Sequence, residues 1–484
     1  MTDLDLLQSW NSDWSKTKFL VFGLGVSGFA VADTLQELNA QILVISDKAT
    51  AEHLDLLEVL GIESSIGADL TSNLELLSRF APDVLIVSPG IRPDNEFLQA
   101  AIKSSVTVWT DFDLAWRLRD KWGFSSQWLC ITGTNGKTTV TQMVETIMRA
   151  AGIRAVACGN IGYSILDAIR DPAEFEALVV EMSSFQLHHT KYFEPLVSAV
   201  LNVADDHLDW HGTFDAYAAA KGKIYHNTKA ACIYNSRDVI TYELMKKSKN
   251  TADAQAVGFT RFTPTPNEIG WVEDILVDRA FVDTVDFADE LATIDDLKNI
   301  SVISPHLLEN VAAAAAIARA AGAQPEEIRS GLANFKLDAH RIQLVLEKDG
   351  IRWVDDSKAT NPHAADAALS SFDSVIWVVG GLLKGVDISS LIAKHSAKLK
   401  SAIVIGKERQ QVLDALAQNS PETKVFEIDG EAVMESVVKV ASTVASSGDT
   451  VLLAPAAASM DQFIDYADRG NSFQAAVLKE QSNG

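Results

Sequence analysis

Basic residues are scarce in this chain. Lys and Arg total 41 against 65 Asp and Glu, a formal charge of −24 over 484 residues. Such a field repels phosphate backbones and anionic bilayers, which excludes nucleic acid and membrane surfaces as main partners. Any phosphate held here must be gripped locally, by backbone N–H groups, a few placed cations or a metal. Cysteine is equally sparse. Cys130, Cys158 and Cys232 are far apart, form no C-x-x-C pair and lie in or beside apolar runs, so they read as buried, reduced thiols without chemistry. No stretch supplies the roughly 18 consecutive apolar residues that span a bilayer; the Ala-rich run Val311–Ala323 is short and contains Arg319. The opening MTDLDLLQSWNSDW is acidic and polar where an export leader would be basic and then apolar. The expectation is a cytoplasmic protein with no membrane insertion. There is no internal repeat and no low-complexity tract.

What is present is globular material. Hydrophobic residues make up 47% of the chain, enough for several cores, and at ~150 residues per domain the length fits about three domains. KFLVFG (18–23), QILVIS (41–46) and DVLIVS (83–88) read as buried parallel strands, with a crossover helix after Gly28. QWLCIT (127–132) leads into GTNGKTT and a helix, and EALVVEMS (176–183) and LVSAVLNVA (196–204) follow at α/β spacing. Residues 240–300 are irregular and acidic, with a turn at TPTPNE, and read as short antiparallel strands and loops. After an Ala-rich helix, RIQLVLE (341–347), SVIWVVGG (374–381), SAIVIG (401–406), KVFEI (424–428) and TVLLAP (450–455) predict another doubly wound sheet. The predicted fold class is α/β, three domains in series: a Rossmann-like domain over 1–112, a P-loop ATPase-like domain over 113–304 and a Rossmann-like domain over 305–484.

Two loops carry phosphate chemistry. Gly23-Leu24-Gly25-Val26-Ser27-Gly28 follows a strand and opens a helix, with Asp47 ending the next strand. Its glycines admit a pyrophosphate to the helix N-terminus and the acid can meet a ribose hydroxyl. Alone, this pattern specifies a nucleotide diphosphate without saying which. The second loop, Thr132-Gly133-Thr134-Asn135-Gly136-Lys137-Thr138-Thr139, forms an anion nest whose lysine can reach β- and γ-phosphates and whose following hydroxyl can ligate Mg²⁺. It points to ATP, although Ile131 stands where the usual pattern has its first glycine. Glu181 ends one core strand, and Asn202, Asp205, Asp206 and His207 follow another. Acids and a histidine at such strand ends can complete a Mg²⁺ shell or act as a base, or can be a solvated turn. Lys221, in AYAAAKGKIY, reads from composition as a surface lysine. In DDSKATN (355–361), Lys358 and a hydroxyl could grip an anionic substrate with Asp356 orienting the lysine, or the segment could be a helix-capping loop. His340-Arg341, Lys384 and Ser459 are weaker single candidates.

Together these motifs, with GNIG (159–162), EMSSFQL (181–187), NVADDHLDWHG (202–212), HLLEN (306–310), DAHRIQ (338–343) and APAAASMDQF (454–463), fall in one order over roughly residues 18–478. The chain resembles the Mur ligase family, ATP-dependent amide-forming enzymes of peptidoglycan precursor synthesis. GLGVSG, DDSKATN and APAAASMDQF most resemble the members that add D-glutamate to UDP-N-acetylmuramoyl-L-alanine.

The resemblance implies a role for each matching position. Gly25, Val26, Ser27, Asp47, Ser88 and Gly90 would hold the UDP of the muramoyl substrate. Asn160, Gln186 and His207 would contact that substrate nearer its reacting carboxylate. Gly133, Thr134, Asn135, Gly136, Lys137, Thr138 and Thr139 would bind ATP, joined by Asn310, Arg341 and Asp356. Thr138 with Glu181 would ligate one Mg²⁺, and His207 with Lys221, carried in this family as a carbamate, a second. Lys358, Thr360, Lys384, Ser459, Met460 and Tyr466 would lie around the incoming glutamate, with Met460 and Tyr466 varying the usual apolar residues there. Lys137, Asn160, His207 and Lys221 would be catalytic, and the chain is expected to act as a monomer. Two other readings stay open: a sister ligase using another amino acid or L-glutamate, and, from GLGVSG with Asp47 alone, an NAD-dependent oxidoreductase.

Overall fold

The computed structural model describes residues 4–249, 253–282, 284, 286–298, 300, 303–337, 339–383, 385–430 and 432–482. Strands β1 (Lys18–Phe22), β2 (Gln41–Ser46), β3 (Glu63–Ile66), β4 (Val84–Val87) and β5 (Thr107–Trp109) form a parallel sheet in the order β3-β2-β1-β4-β5. β1 and β4 are nearly all buried residues, as a strand covered on both faces must be. The winding reverses between β1 and β4, so the crevice at their carboxyl ends is open to a ligand.

β6 (Gln127–Thr132), β7 (Ala155–Gly159), β8 (Ala177–Glu181), β9 (Val197–Val200), β10 (Ala231–Asn235), β11 (Gln255–Phe259), β12 (Glu268–Val272), β13 (Ile275–Asp278) and β14 (Asp289–Thr293) make the second sheet, in the order β14-β13-β12-β11-β10-β9-β6-β8-β7. β6 lies between β8 and β9, parallel to both, which brings the ends of three strands to one edge. The 240–300 stretch departs from the all-antiparallel expectation. β11 pairs parallel with β10, β12 pairs parallel with β11, and only then does the β12–β13 hairpin turn antiparallel. Trp14, Phe19, Trp109, Phe112, Trp116 and Trp128 run through one core shared by these first two sheets. Arg170 reinforces it, reaching Asp33 at 2.6 Å and Glu37 at 2.9 Å on the helix Val26–Glu37.

β15 (Gln343–Lys348), β16 (Ile351–Asp355), β17 (Val375–Gly380), β18 (Leu399–Ile405), β19 (Lys424–Glu427) and β20 (Thr450–Leu453) form the third sheet, in the order β15-β16-β20-β17-β18-β19. Only β15 is antiparallel to its neighbour. Insertion of β20 between β16 and β17 sets the loops after Asp355, Leu453 and Gly380 side by side. By internal contacts the chain divides into two compact units, 1–292 with 310–332, and 293–309 with 333–484. Among the described residues no helix is long and apolar enough to cross a membrane, and all three cysteines are buried and unpaired.

Candidate active site

In the first unit the chain leaves β6 at Thr132 and turns through Gly133–Gly136 into the helix Lys137–Ala150. Gly136 has φ +81°, a conformation that favours glycine, and a Cβ there would lie 2.5 Å from Asn310 Oδ1. Asn202, from the end of β9, fixes the loop from beneath. Its Oδ1 accepts the Asn135 N–H at 2.9 Å and its Nδ2 donates to the Asn135 carbonyl at 3.1 Å. Thr134 is held by its backbone N–H to the Asn202 carbonyl at 3.0 Å and by its hydroxyl against the Tyr217 OH at 2.9 Å. An anion entering this nest meets a helix N-terminus and the Lys137 ammonium. Thr138 and Thr139 follow in the first turn of that helix.

Two lysines converge on the loop. Lys137 Nζ donates to the carbonyls of Gly133 at 3.0 Å and Thr134 at 2.9 Å, and Lys221 Nζ donates to the same Gly133 carbonyl at 2.8 Å. Lys221 is only 2% exposed, with its Nζ 4.6 Å from the centre of the Tyr217 ring. Burial, and then the charge of Lys137, hold its ammonium well below the ordinary lysine range. A buried amine that sheds its proton is a nucleophile, the opposite of a surface lysine.

Beside this lies Glu181, the last residue of β8 and 2% exposed. Its Oε1 accepts the Asn160 Nδ2 at 2.9 Å, and its backbone carbonyl accepts the Asn160 N–H at 2.9 Å. Gly159, at φ +96°, allows that approach, since a Cβ there would stand 2.4 Å from the Glu181 carbonyl oxygen. Glu181 Oε2 is buried without a hydrogen-bond partner. His207 sits at φ +53° at the start of the helix Leu208–His211, edge-on to Phe185 at 4.7 Å. Burial lowers its pKa against the opposing pull of Asp206, 3.5 Å away, so the imidazole keeps a lone pair near neutral pH.

At the carboxyl edge of the first sheet, Gly23 (φ +99°) turns the chain out of β1, and Ser88 Oγ donates to its carbonyl at 2.9 Å. A Cβ on Gly28 would stand 2.0 Å from that carbonyl, so the third glycine of the fingerprint is what lets the helix close on the strand. Gly25 caps the helix, Val26 is 70% exposed, Ser27 follows in the first helical turn, and Asp47 and Gly90 lie just past the carboxyl ends of β2 and β4. Gln186 is 3% exposed, and its Oε1 closes a capping box with Ser183 at 2.8 Å.

The second unit gathers the remaining candidates around β16 and β20. Asp356 follows β16 and its N–H reaches the Leu453 carbonyl at 2.8 Å. Burial raises its pKa to about 7, with the Ile342 N–H and Arg341 opposing. Lys358 Nζ lies 5.3 Å from the centre of the Tyr466 ring, Thr360 follows two residues on, and Ser459 is buried while Met460 is 63% exposed. Lys384 lies outside the described residues. One support, Arg469, leaves no mark in the sequence, and a second, His340, is one of the single candidates noted there. Arg469 is fully buried and donates to Ser357 Oγ at 2.9 Å, the Ser357 carbonyl at 2.8 Å and the Ala457 carbonyl at 3.1 Å. It thereby ties the loop carrying Lys358 to the one carrying Ser459. His340, at φ +67°, places its Nδ1 2.6 Å from Asp355 Oδ2 and its carbonyl under the Lys358 N–H at 3.2 Å.

Family models match the chain in three consecutive stretches: a Mur ligase MurD-like N-terminal domain over 17–110, a Mur ligase middle domain over 131–318 and a Mur ligase glutamate ligase domain over 340–457. The UDP-N-acetylmuramoylalanine--D-glutamate ligase of Leifsonia xyli subsp. xyli is 48% identical across 99% of this chain and 96% of its own length. The protein of that name from Streptomyces avermitilis is 44% identical across 96% of this chain and 99% of its own. The chain belongs to the Mur ligase family. Solved ligase structures agree in fold. MurF from Acinetobacter baumannii superposes with a TM-score of 0.58 at 16% identity, covering 97% of this chain and 92% of its own. A pseudomurein peptide ligase type C from Methanothermus fervidus gives 0.57 at 18%, covering 96% and 100%.

Membership of the Mur ligase family implies use of ATP and Mg²⁺. The residues fit that pair. Glu181 Oε2 is a buried carboxylate oxygen without a hydrogen-bond partner, set among a hydroxyl-bearing helix start and an anion nest, a donor set suited to a hard divalent cation. Among the described residues no three His, Cys, Asp or Glu side chains stand together as a metal site.

Proposed function

We propose that this Mur ligase joins D-glutamate to UDP-N-acetylmuramoyl-L-alanine at the expense of ATP, as a cytoplasmic monomer in peptidoglycan precursor synthesis. The observation that carries the reading is the 48% identity to the Leifsonia relative of that name across 99% of this chain. The first region, 1–112, takes the UDP end of the substrate on Gly25, Val26, Ser27, Asp47, Ser88 and Gly90. The second, 113–304, takes ATP on Gly133–Thr139 with Asn310 from the helix that follows. In the third, 305–484, Arg341 and Asp356 are assigned to nucleotide binding and Lys358, Thr360, Lys384, Ser459, Met460 and Tyr466 to glutamate binding.

Lys137 and the loop N–H groups offset charge on the γ-phosphate as the substrate carboxylate attacks it, giving an acyl phosphate and ADP. The free glutamate amine attacks that carbonyl, and the proton it then carries is lost to water. The tetrahedral intermediate then collapses to amide and phosphate. Asn160, held by Glu181, and Gln186 keep the carboxylate in line. Thr138, Glu181, His207 and Lys221 would hold Mg²⁺, at two sites, and the metal would supply neutralisation of phosphate charge. Lys221 takes part as its carbamate. Its depressed pKa supports this, because the free amine attacks CO₂ and the product is an anion able to ligate a cation. Lys358 pairs with a glutamate carboxylate, a short-range attraction that an acidic protein can still provide.

The test is phosphate release with ATP, Mg²⁺ and the muramoyl substrate across D-Glu, L-Glu, D-Ala, L-Lys and diaminopimelate. Release with D-Glu alone is expected. Release with another amino acid moves the chain to a sister ligase.

A further inference from the structure

The loop after β4 is tied to both segments that follow the candidate metal ligands. Ile91 closes the turn on Ser88, its N–H reaching the Ser88 carbonyl at 3.1 Å. Its own carbonyl faces His189 Nε2 at 3.1 Å, at the end of the helix Ser184–His189 that begins three residues after Glu181. The next residue, Arg92, donates from Nη1 to the Asp209 carbonyl at 2.9 Å, in the short helix that His207 opens. A carbonyl only accepts, so His189 Nε2 must carry the proton. Burial and the nearby charges of Lys191 and Lys223 keep the ring neutral, although the Ile91 carbonyl pulls the other way. Trp210 packs edge-on against His189 at 5.8 Å and against His188 at 5.1 Å, and His211 Nε2 meets Ser184 Oγ at 3.0 Å, so the two short helices form one aromatic block.

We propose that His189 and Arg92 are positioning residues, fixing the distance between the crevice that holds the nucleotide end of the substrate and the Glu181–His207 pair that meets its reacting end. Neither touches the reacting atoms. The inference rests on the proposed function for the identity of the substrate. A bipartite ligand bound at both ends gains affinity only if its two subsites keep their spacing, whereas a ligand filling one subsite is indifferent to it. The two hydrogen bonds hold that spacing at two points of one block.

The full chain is compared with His189→Phe, which keeps the ring and loses the donor, His189→Gln, which restores an N–H, and Arg92→Met. Binding of UDP alone and of the whole muramoyl substrate is measured by calorimetry, and KM and kcat by phosphate release. His189→Phe and Arg92→Met are expected to weaken the whole substrate about five- to tenfold each while UDP binding stays within twofold. The double variant should lose less than the product of the two losses, KM for ATP should hold, and His189→Gln should recover most of the loss. Parallel loss of UDP and whole-substrate binding would reduce both residues to structural supports and overturn the proposal. So would wild-type behaviour in every variant. If the wild-type chain binds UDP and the substrate but turns nothing over, the functional reading fails while the binding comparison still decides the spacing.

Discussion

The side chains of Lys137 and Lys221 donate to one carbonyl oxygen, that of Gly133, at 3.0 and 2.8 Å. Two ammonium groups on a single acceptor repel, and the more deeply buried one yields its proton first. Lys221→Ala is therefore expected to abolish turnover, with partial return on adding a small carboxylate such as acetate. Activity of the wild-type chain should fall in CO₂-depleted buffer and recover with bicarbonate. An unchanged rate in Lys221→Ala would make it an ordinary buried lysine.

Glu181 offers Oε1 to Asn160 at 2.9 Å and leaves Oε2 without a hydrogen-bond partner. Glu181→Gln keeps the first contact and removes the charge. The half-saturating Mg²⁺ concentration should rise about tenfold or more, with thermal stability equal or higher, because a buried uncompensated oxygen is costly. A Mg²⁺ titration read beside a melting curve checks both.

Arg469 makes three hydrogen bonds in a fully buried position. Arg469→Leu leaves their acceptors unpaired and should cost about 3 kcal/mol in denaturant unfolding. As the loops bearing Lys358 and Ser459 separate, KM for glutamate should rise while KM for the muramoyl substrate holds.

Asp356 titrates at about 7 because it is buried. Unfolded, the same group titrates near 3.9. Between these values the folded chain holds a proton that the unfolded chain has lost, so stability falls as pH rises through this window and stays reduced above it. Asp356→Asn should leave stability unchanged below about pH 4 and raise it at pH 8 by at most about 4 kcal/mol. Melting curves across pH check the sign.

Much of this was legible in the chain. Strands β1, β2, β4, β6 and β20 are short, almost wholly apolar runs bounded by turn residues, and such runs mark a strand to within a few positions. β3 (ESSI) and β5 (TVW) escaped because edge strands need little apolar sequence. β7 (AVACG) escaped because small residues carry little hydrophobic signal. The phosphate loops were visible because glycine at positive φ before a helix leaves a mark in sequence. The burial of Lys221, the unpartnered Glu181 oxygen and Arg469 left none, since each depends on which distant segments close around the side chain. Lys221 stands out through its match to the family, not through residue pattern.

The most direct test follows oxygen. Muramoyl substrate labelled with ¹⁸O in its reacting carboxylate is turned over with ATP and D-glutamate, and the released phosphate is analysed by mass. Transfer of one labelled oxygen to each phosphate, with the muramoyl-alanyl-glutamate amide as the other product, is the predicted result. Unlabelled phosphate beside a formed amide, or labelled phosphate with L-glutamate in place of D-glutamate, would contradict the account.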